Sequence, residues 1–244
     1  MSGHSKWHSI KHQKAAADAK RGQAFTKVAA EIAVAARDGA DPDMNYRLRL
    51  AIQKAKSVNM PAANIERAIA RGAGTAGGAA LEDLTYEGYG PSGVAVIVKA
   101  LTDNRNRTGA DVKSSFSKFG GNLGAPGSVS YLFEQKGIIL CKAGIDKEEA
   151  ELAAIEAGAA DIDDSGEQLV VFTAPTDLEK VRDALGDAVE SANIEQTASQ
   201  TITVDDEKKA SSLMKMIDVL DELDDVVSVS ANFDIPEEIL EKLG

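Results

Sequence analysis

A chain of 244 residues with 43% hydrophobic side chains is long enough for two or three small cores, and its single cysteine, Cys141, excludes an intramolecular disulfide and any multi-cysteine metal site. The formal net charge of −12 conceals a split: residues 1–78 hold 13 Lys and Arg against 6 Asp and Glu, whereas residues 79–244 hold 14 against 33. No run reaches the ~18 apolar residues of a membrane span and no signal-peptide core opens the chain, so the expectation is a cytoplasmic protein with no membrane partner and one anion-seeking end.

Residues 1–22 carry Lys6, Lys11, Lys14, Lys20 and Arg21 but few apolar side chains beyond Trp7 and Ile10, too little to fold alone. From about Ala17 to Asp38 the spacing of Phe25, Val28, Ile32 and Ala36 predicts a helix that ends near Gly39. A second helix is expected over Asn45–Val58, with Leu48, Ala51, Ile52 and Ala55 as its core stripe. Arg47 with Lys54, and Arg49 with Lys56, form two basic ridges beside that stripe. A third helix starts near Pro61, carries Ile65 and Ile69, and stops at Gly72. Gly72–Ala80 then reads as a flexible linker. Its Gly-x-Gly-x-x-Gly match follows a helix rather than a strand, which argues against dinucleotide binding.

Beyond the linker, strands alternate with helices. Thr85–Tyr89 and Val94–Leu101 read as strands, Thr108–Phe119 as a helix with Val112, Phe116 and Phe119 inward, and Val129, Tyr131 and Phe133 as an alternating strand. A new strand is expected at Gly137–Lys142. A helix opened by Asp146 and Glu149 should then bury Leu152 and Ile155. Strands around Ala159–Asp163 and Gln168–Phe172, a helix from Thr176 with Glu179 completing a second capping box, and a strand over Ile194–Val204 give the order βαββαβ. A last helix, with Leu213, Ile217 and Leu220, and a strand, with Val227, Val229, Ala231 and Phe233, supply what the earlier ββαβ unit lacks. The fold class expected is therefore α+β and multidomain: a three-helix domain at 1–78, then two ferredoxin-like α/β domains, one (135–204) inserted in the other (82–134 plus 205–244).

No phosphate-binding loop and no Gly-x-Ser-x-Gly elbow occurs, and Asp161-x-Asp163-x-Ser165-Gly166 lacks the glutamate that a calcium loop needs at its twelfth position, where Phe172 stands. Gly120–Gly127 leaves a helix and enters a strand, the wrong order for a phosphate site. No enzyme chemistry, cofactor or metal is expected. His4, His8 and His12 would share a helical face, but the neighbouring lysines repel a cation and no carboxylate orients the rings.

The basic segment fits nucleic acid instead. Lys6, His8, Lys11, Lys14, Lys20, Arg21, Lys27, Arg47, Arg49, Lys54 and Lys56 are the candidate phosphate contacts, and Trp7 is the candidate platform for an exposed base. Arg47, Arg49, Lys54 and Lys56 have no matching acid between residues 44 and 65. Asn104, Arg105, Asn106 and Arg107 precede a helix and read equally as an anion or partner loop and as a capped turn. The oligomeric state is left open, a monomer being the simpler expectation. A small-molecule site between the domains is the alternative of a different class.

Gly3-His-Ser-Lys-Trp7, Asp18-Ala-Lys-Arg-Gly22, Asn64-Ile-Glu-Arg-Ala-Ile69, Tyr86-Glu-Gly-Tyr-Gly-Pro91, Leu101-Thr-Asp-Asn-Arg-Asn-Arg-Thr108 and Gly120-Gly-Asn-Leu-Gly124 together resemble the signature of the YebC/PmpR family. The resemblance spans essentially the whole chain. It implies a cytoplasmic three-domain protein, a helical N-terminal domain followed by two α/β domains around a cleft, with no catalytic residues. The family is usually described as probable DNA-binding transcriptional regulators, and it is similar to a mitochondrial translational activator of cytochrome c oxidase. Bacterial relatives have been linked to translation, which makes RNA on the ribosome the rival partner to DNA.

Overall fold

Val28, Ile32 and Ala36 recur every fourth residue, so helix α1 (Arg21–Ala36) turns one apolar stripe inward, with Phe25 partly buried at its edge. The stripe meets Leu48, Ala51 and Ala55 of α2 (Tyr46–Ser57) and Ile65 and Ala68 of α3 (Ala62–Gly72). Asn45 caps α2 by accepting from the Leu48 N–H at 3.1 Å, while its Nδ2 donates to the Ala35 and Gly39 carbonyls, both at 2.7 Å, tying the end of α1 to the start of α2. The end of α3 lies so close to α1 that a Cβ at Gly72 would stand 2.1 Å from the Ala33 carbonyl oxygen; only glycine permits that crossing. The computed structural model describes residues 21–77 and 81–243.

A four-stranded antiparallel sheet follows, in the order β3-β1-β2-β9: β1 (Glu82–Tyr89), β2 (Ala95–Thr102), β3 (Asn122–Leu123) and β9 (Val226–Ala231). Helices α4 (Arg105–Lys118) and α7 (Glu207–Asp221) cover one face. There Val96 and Val98 meet Phe116, Leu213, Met216 and Leu220. Between β3 and α7 the chain builds a second antiparallel sheet, in the order β5-β6-β4-β7: β4 (Phe133–Cys141), β5 (Asp161–Asp163), β6 (Val170–Thr173) and β7 (Val189–Ala198). Its face is covered by α5 (Lys147–Ala157) and α6 (Leu178–Leu185). This is the ferredoxin-like order, and the first sheet reproduces it with β1 in the slot that β6 fills in the second. On its return the chain locks in place through Asn232, whose Oδ1 accepts from the Ala95 N–H at 2.6 Å, and through a short parallel pair of β8 (Ile202–Thr203) and β10 (Phe233–Asp234). Helix α8 (Glu237–Leu243) ends the described chain.

Four local expectations are corrected. Val129, Tyr131 and Phe133 do not alternate along a strand of the first sheet. Val129 is buried, Ser130–Leu132 is a 3-10 turn that leaves Tyr131 exposed, and Phe133 opens β4, one nine-residue strand running through Gly137. The cause is the buried carboxylate of Glu87, which draws in the N–H groups of Gly127, Val129 and Ser130 and wraps the segment round itself. Helix α5 buries Ala150, Ala154 and Ala157, whereas Leu152 and Ile155 are 59% and 62% exposed; the small side chains let the helix lie close to its neighbours. The second capping box is absent: Asp177 precedes α6 without a side-chain cap, and Glu179 is engaged elsewhere. Finally, the strand expected over 194–204 is interrupted between β7 and β8.

Candidate nucleic-acid interface

Lys6, Trp7, His8, Lys11, Lys14 and Lys20 lie outside the described residues, as do His4 and His12. Of Arg21 only the backbone, at the first position of α1, is described. The remaining candidates divide sharply by partner.

Lys54 donates to both carboxylate oxygens of Glu31 on α1, at 2.7 and 2.9 Å. Lys27 pairs with Asp221 at the end of α7 at 2.9 Å. Arg49 pairs with Glu179 of α6 at 2.7 Å and donates to the Pro42 and Asp43 carbonyls, while its guanidinium lies 5.6 Å from the centre of the Tyr46 ring. Arg182 lies at the same distance from that ring and also reaches Gln53. Burial pushes the Tyr46 hydroxyl up to about 12 despite the two cations, so the phenol stays neutral. Arg47 only approaches Asp38, at 3.8 Å, on an exposed surface, and Lys56 and Arg67 are exposed with no ion pair among the described residues.

The four basic residues of α2 are thus not two uninterrupted ridges. The absence of acids between 44 and 65 does not leave them unmatched, because Glu31, Asp38 and Glu179 arrive from outside that window. Arg47 and Lys56 are the two that remain turned to solvent.

Asn104 is the N-cap of α4, accepting from the Arg107 N–H at 3.1 Å, so Arg105, Asn106 and Arg107 form the first helical turn rather than an open loop. Against that turn sits an internal anion. Asp225 accepts from Thr108 Oγ1 at 2.7 Å, Thr102 Oγ1 at 3.1 Å and the Arg107 guanidinium, which reaches both carboxylate oxygens at 2.8 and 3.0 Å. Burial raises the Asp225 carboxyl, but these donors outweigh it and hold it below the ordinary aspartate value. Arg105 stands 4.0 Å from Glu82.

Between the helices and the first sheet lies a cleft of about 1000 Å³. One wall presents Asn64, Arg67 and Arg71 of α3 beside Phe25 and Met60; the other presents Asp103, Asp111, Glu222, Asp224 and Asp225 around the single guanidinium of Arg107. A phosphate entering it would face more carboxylates than guanidiniums. Elsewhere the chemistry is sparse. Cys141 is buried in β4 with its thiol pushed up to about 11, which removes it as a nucleophile. Among the described residues no group of three or more His, Cys, Asp or Glu side chains is placed to hold a metal ion, and no helix is long and apolar enough to cross a membrane.

Sequence reasoning missed the acidic partners, Asp83, Asp103, Glu179, Asp221 and Asp225. Their signal was present in the charge split: two surfaces of opposite sign on one chain attract each other before either meets a third party.

Residues 5–75 match the model of the TACO1/YebC protein N-terminal domain, and residues 81–233 match that of the TACO1/YebC second and third domain. A protein of Sulfurihydrogenibium sp. (strain YO3AOP1), named a probable transcriptional regulatory protein, is 53% identical over 249 residues, spanning 100% of this chain and 99% of its own. One of Aquifex aeolicus (strain VF5) with the same descriptive name is 50% identical over 249 residues, with 100% of both chains covered. The crystal structure of a conserved hypothetical protein from Aquifex aeolicus superposes with a TM-score of 0.84 at 49% identity, over 91% of this chain and 94% of that one. With both family models matched in series and such identity sustained from end to end, the chain belongs to the TACO1/YebC family.

Proposed function

We propose that this chain is a non-enzymatic, cytoplasmic regulator of gene expression that grips nucleic acid through its basic helical part, residues 1–78, while its two acidic sheet units, 82–134 with 205–244 and the inserted 135–204, set placement and partner contact. The observation that carries the reading is the segregation of charge, +7 on residues 1–78 against −19 on the rest. Counterion release from phosphate favours a basic surface at short range whatever charge lies beyond a Debye length of about 8–10 Å. The naming of the relatives as probable transcriptional regulatory proteins supports DNA as the target.

RNA is the second reading, and the placement of α3 favours it. Asn64, Arg67 and Arg71 line the cleft opposite acids instead of standing clear as a helix ready for a major groove. A basic N-terminal segment with one stackable tryptophan also suits looped or single-stranded RNA. Crosslinking in growing cells, followed by sequencing of the bound nucleic acid, separates the two. Promoter DNA that disappears in a Lys6→Ala, Lys11→Ala, Lys14→Ala variant supports transcriptional control, and ribosomal or messenger RNA that disappears in it supports control of translation. Recovery of neither overturns nucleic-acid binding.

A further inference from the structure

Every ion pair that joins residues 21–77 to residues 81–243 has one polarity among the described residues: the cation comes from the N-terminal helical part and the carboxylate from the two sheet units. Lys27 meets Asp221 at 2.9 Å, Arg49 meets Glu179 at 2.7 Å, Arg71 meets Asp103 at 3.6 Å and Arg37 meets Asp83 at 4.0 Å. The same direction prevails in the cleft, which Arg67 and Arg71 line together with five carboxylates; two of these, Asp225 and Asp103, are shared with Arg107 of the sheet unit, at 2.8 and 3.3 Å.

We propose that this arrangement is an autoinhibitory clamp in which the acidic wall of the first sheet occupies the basic side chains of the helical part and must be displaced before nucleic acid can use them. The proposal rests on the nucleic-acid reading above and adds its regulation. The clamp is built to be opened. The carboxylates that the first sheet unit contributes to these pairs, Asp83, Asp103 and Asp221, are a third to a half exposed, so phosphate and salt reach them directly, and surface pairs of this kind are individually weak.

The other side of the helical part is built to stay. Tyr46 and Leu50 of α2 pack against the core of the second sheet, and Arg49, Glu179, Tyr46 and Arg182 stack there. Opening therefore swings α1 and α3 away from the first sheet about the contact of α2 with α6. The connection on the cleft side, Ala73–Gly77, is exposed and contributes nothing to any core, and Gly74 and Gly77 sit in the left-handed region that leaves the chain free to turn.

The test compares the full chain with two triple variants of equal net charge. One removes the clamp (Asp83→Asn, Asp103→Asn, Asp221→Asn); the other removes acids of α5 that make no ion pair among the described residues (Glu148→Gln, Glu151→Gln, Glu156→Gln). Binding to a labelled single-stranded RNA of about 20 nucleotides and to a DNA duplex of that length is followed by fluorescence anisotropy from low to high salt, and compactness by small-angle scattering. The clamp variant is expected to bind about 5- to 10-fold tighter than wild type near 0.1 M salt, with a larger radius of gyration and with the advantage gone at high salt. The α5 variant should differ from wild type by less than about 2-fold. Equal gains in the two variants overturn the clamp and leave nucleic-acid binding standing. Absence of binding by wild type and both variants overturns the nucleic-acid reading, and the clamp with it.

Discussion

Arg49 of α2 donates to Glu179 of α6 across 130 residues of sequence at 2.7 Å, and it is the shortest of the pairs joining the helical part to the sheets among the described residues. The pair is about one third exposed on each side, so its worth is that of a screened surface pair, about 0.5–1 kcal/mol. Arg49 does more than pair, because it also holds the Pro42 and Asp43 carbonyls and lies against Tyr46. Glu179→Gln should therefore cost about 0.5–1 kcal/mol and Arg49→Ala about 1–2 kcal/mol in urea denaturation. Equal costs would mean that only the ion pair matters.

Glu87 is 7% exposed, and its carboxylate accepts three backbone N–H groups, from Gly127 at 2.7 Å, Val129 at 2.8 Å and Ser130 at 2.9 Å. Burial raises its pKa, but the three donors prevail and the carboxyl titrates below the ordinary glutamate value. The sign of the linkage follows: with the folded pKa depressed, the stabilisation is complete above the unfolded value of about 4.3 and is lost as the pH falls through the lower folded value. Glu87→Gln should cost about 2–4 kcal/mol at pH 7, because an amide nitrogen then faces a backbone donor. The loss of stability on acidification below pH 4.5 should be shallower in the variant, which thermal melts over pH 3–7 would reveal. Parallel pH profiles would remove the carboxylate from its role in holding this loop.

Tyr46 is the reverse case. Its hydroxyl is buried with no hydrogen-bond partner among the described residues, while its ring lies near two guanidiniums. Tyr46→Phe keeps the ring and removes the stranded hydroxyl, so stability should rise by about 0–1 kcal/mol. A loss beyond about 1 kcal/mol in denaturant unfolding would show that the hydroxyl is satisfied after all. Tyr46→Leu, which also loses the cation–π contacts, should be worse than Tyr46→Phe by about 1 kcal/mol.

Periodicity made the three N-terminal helices legible, and local hydrogen-bonding chemistry made the cap at Asp146 legible, because both signals lie within a turn of the residue concerned. What stayed hidden depends on distant neighbours. Nothing local distinguishes a helix that packs through Ala154 from one that packs through Leu152, since the choice is made by how close the covering elements come. Nor does spacing reveal that Glu87 will organise a loop some 40 residues away. The α5 case is testable: Leu152→Ser should stay within about 0.5 kcal/mol of wild type, whereas Ala154→Leu should cost about 1–3 kcal/mol by overpacking. Costs in the opposite order would turn the helix over.

Partners, more than charge, should decide which cations of α2 serve nucleic acid. Lys54 is held by two short bonds to Glu31, and releasing it for phosphate would leave that carboxylate unpaired on α1, whereas Arg47 has only a loose approach to Asp38 and Lys56 has no ion pair among the described residues. Each phosphate contact contributes a slope of about 0.7–0.9 to the dependence of log affinity on log salt. Lys56→Ala and Arg47→Ala should therefore each weaken binding across sequences and flatten the slope by roughly that amount, and Lys6→Ala, Lys11→Ala and Lys14→Ala together by about 2–3. Lys54→Ala should leave the slope unchanged and instead lower stability by about 0.5 kcal/mol. Fluorescence anisotropy titrations at four salt concentrations distinguish the two behaviours. If Lys54→Ala flattens the slope as much as Lys56→Ala does, the Glu31 pair yields to phosphate and the internal pairing does not select the binding surface.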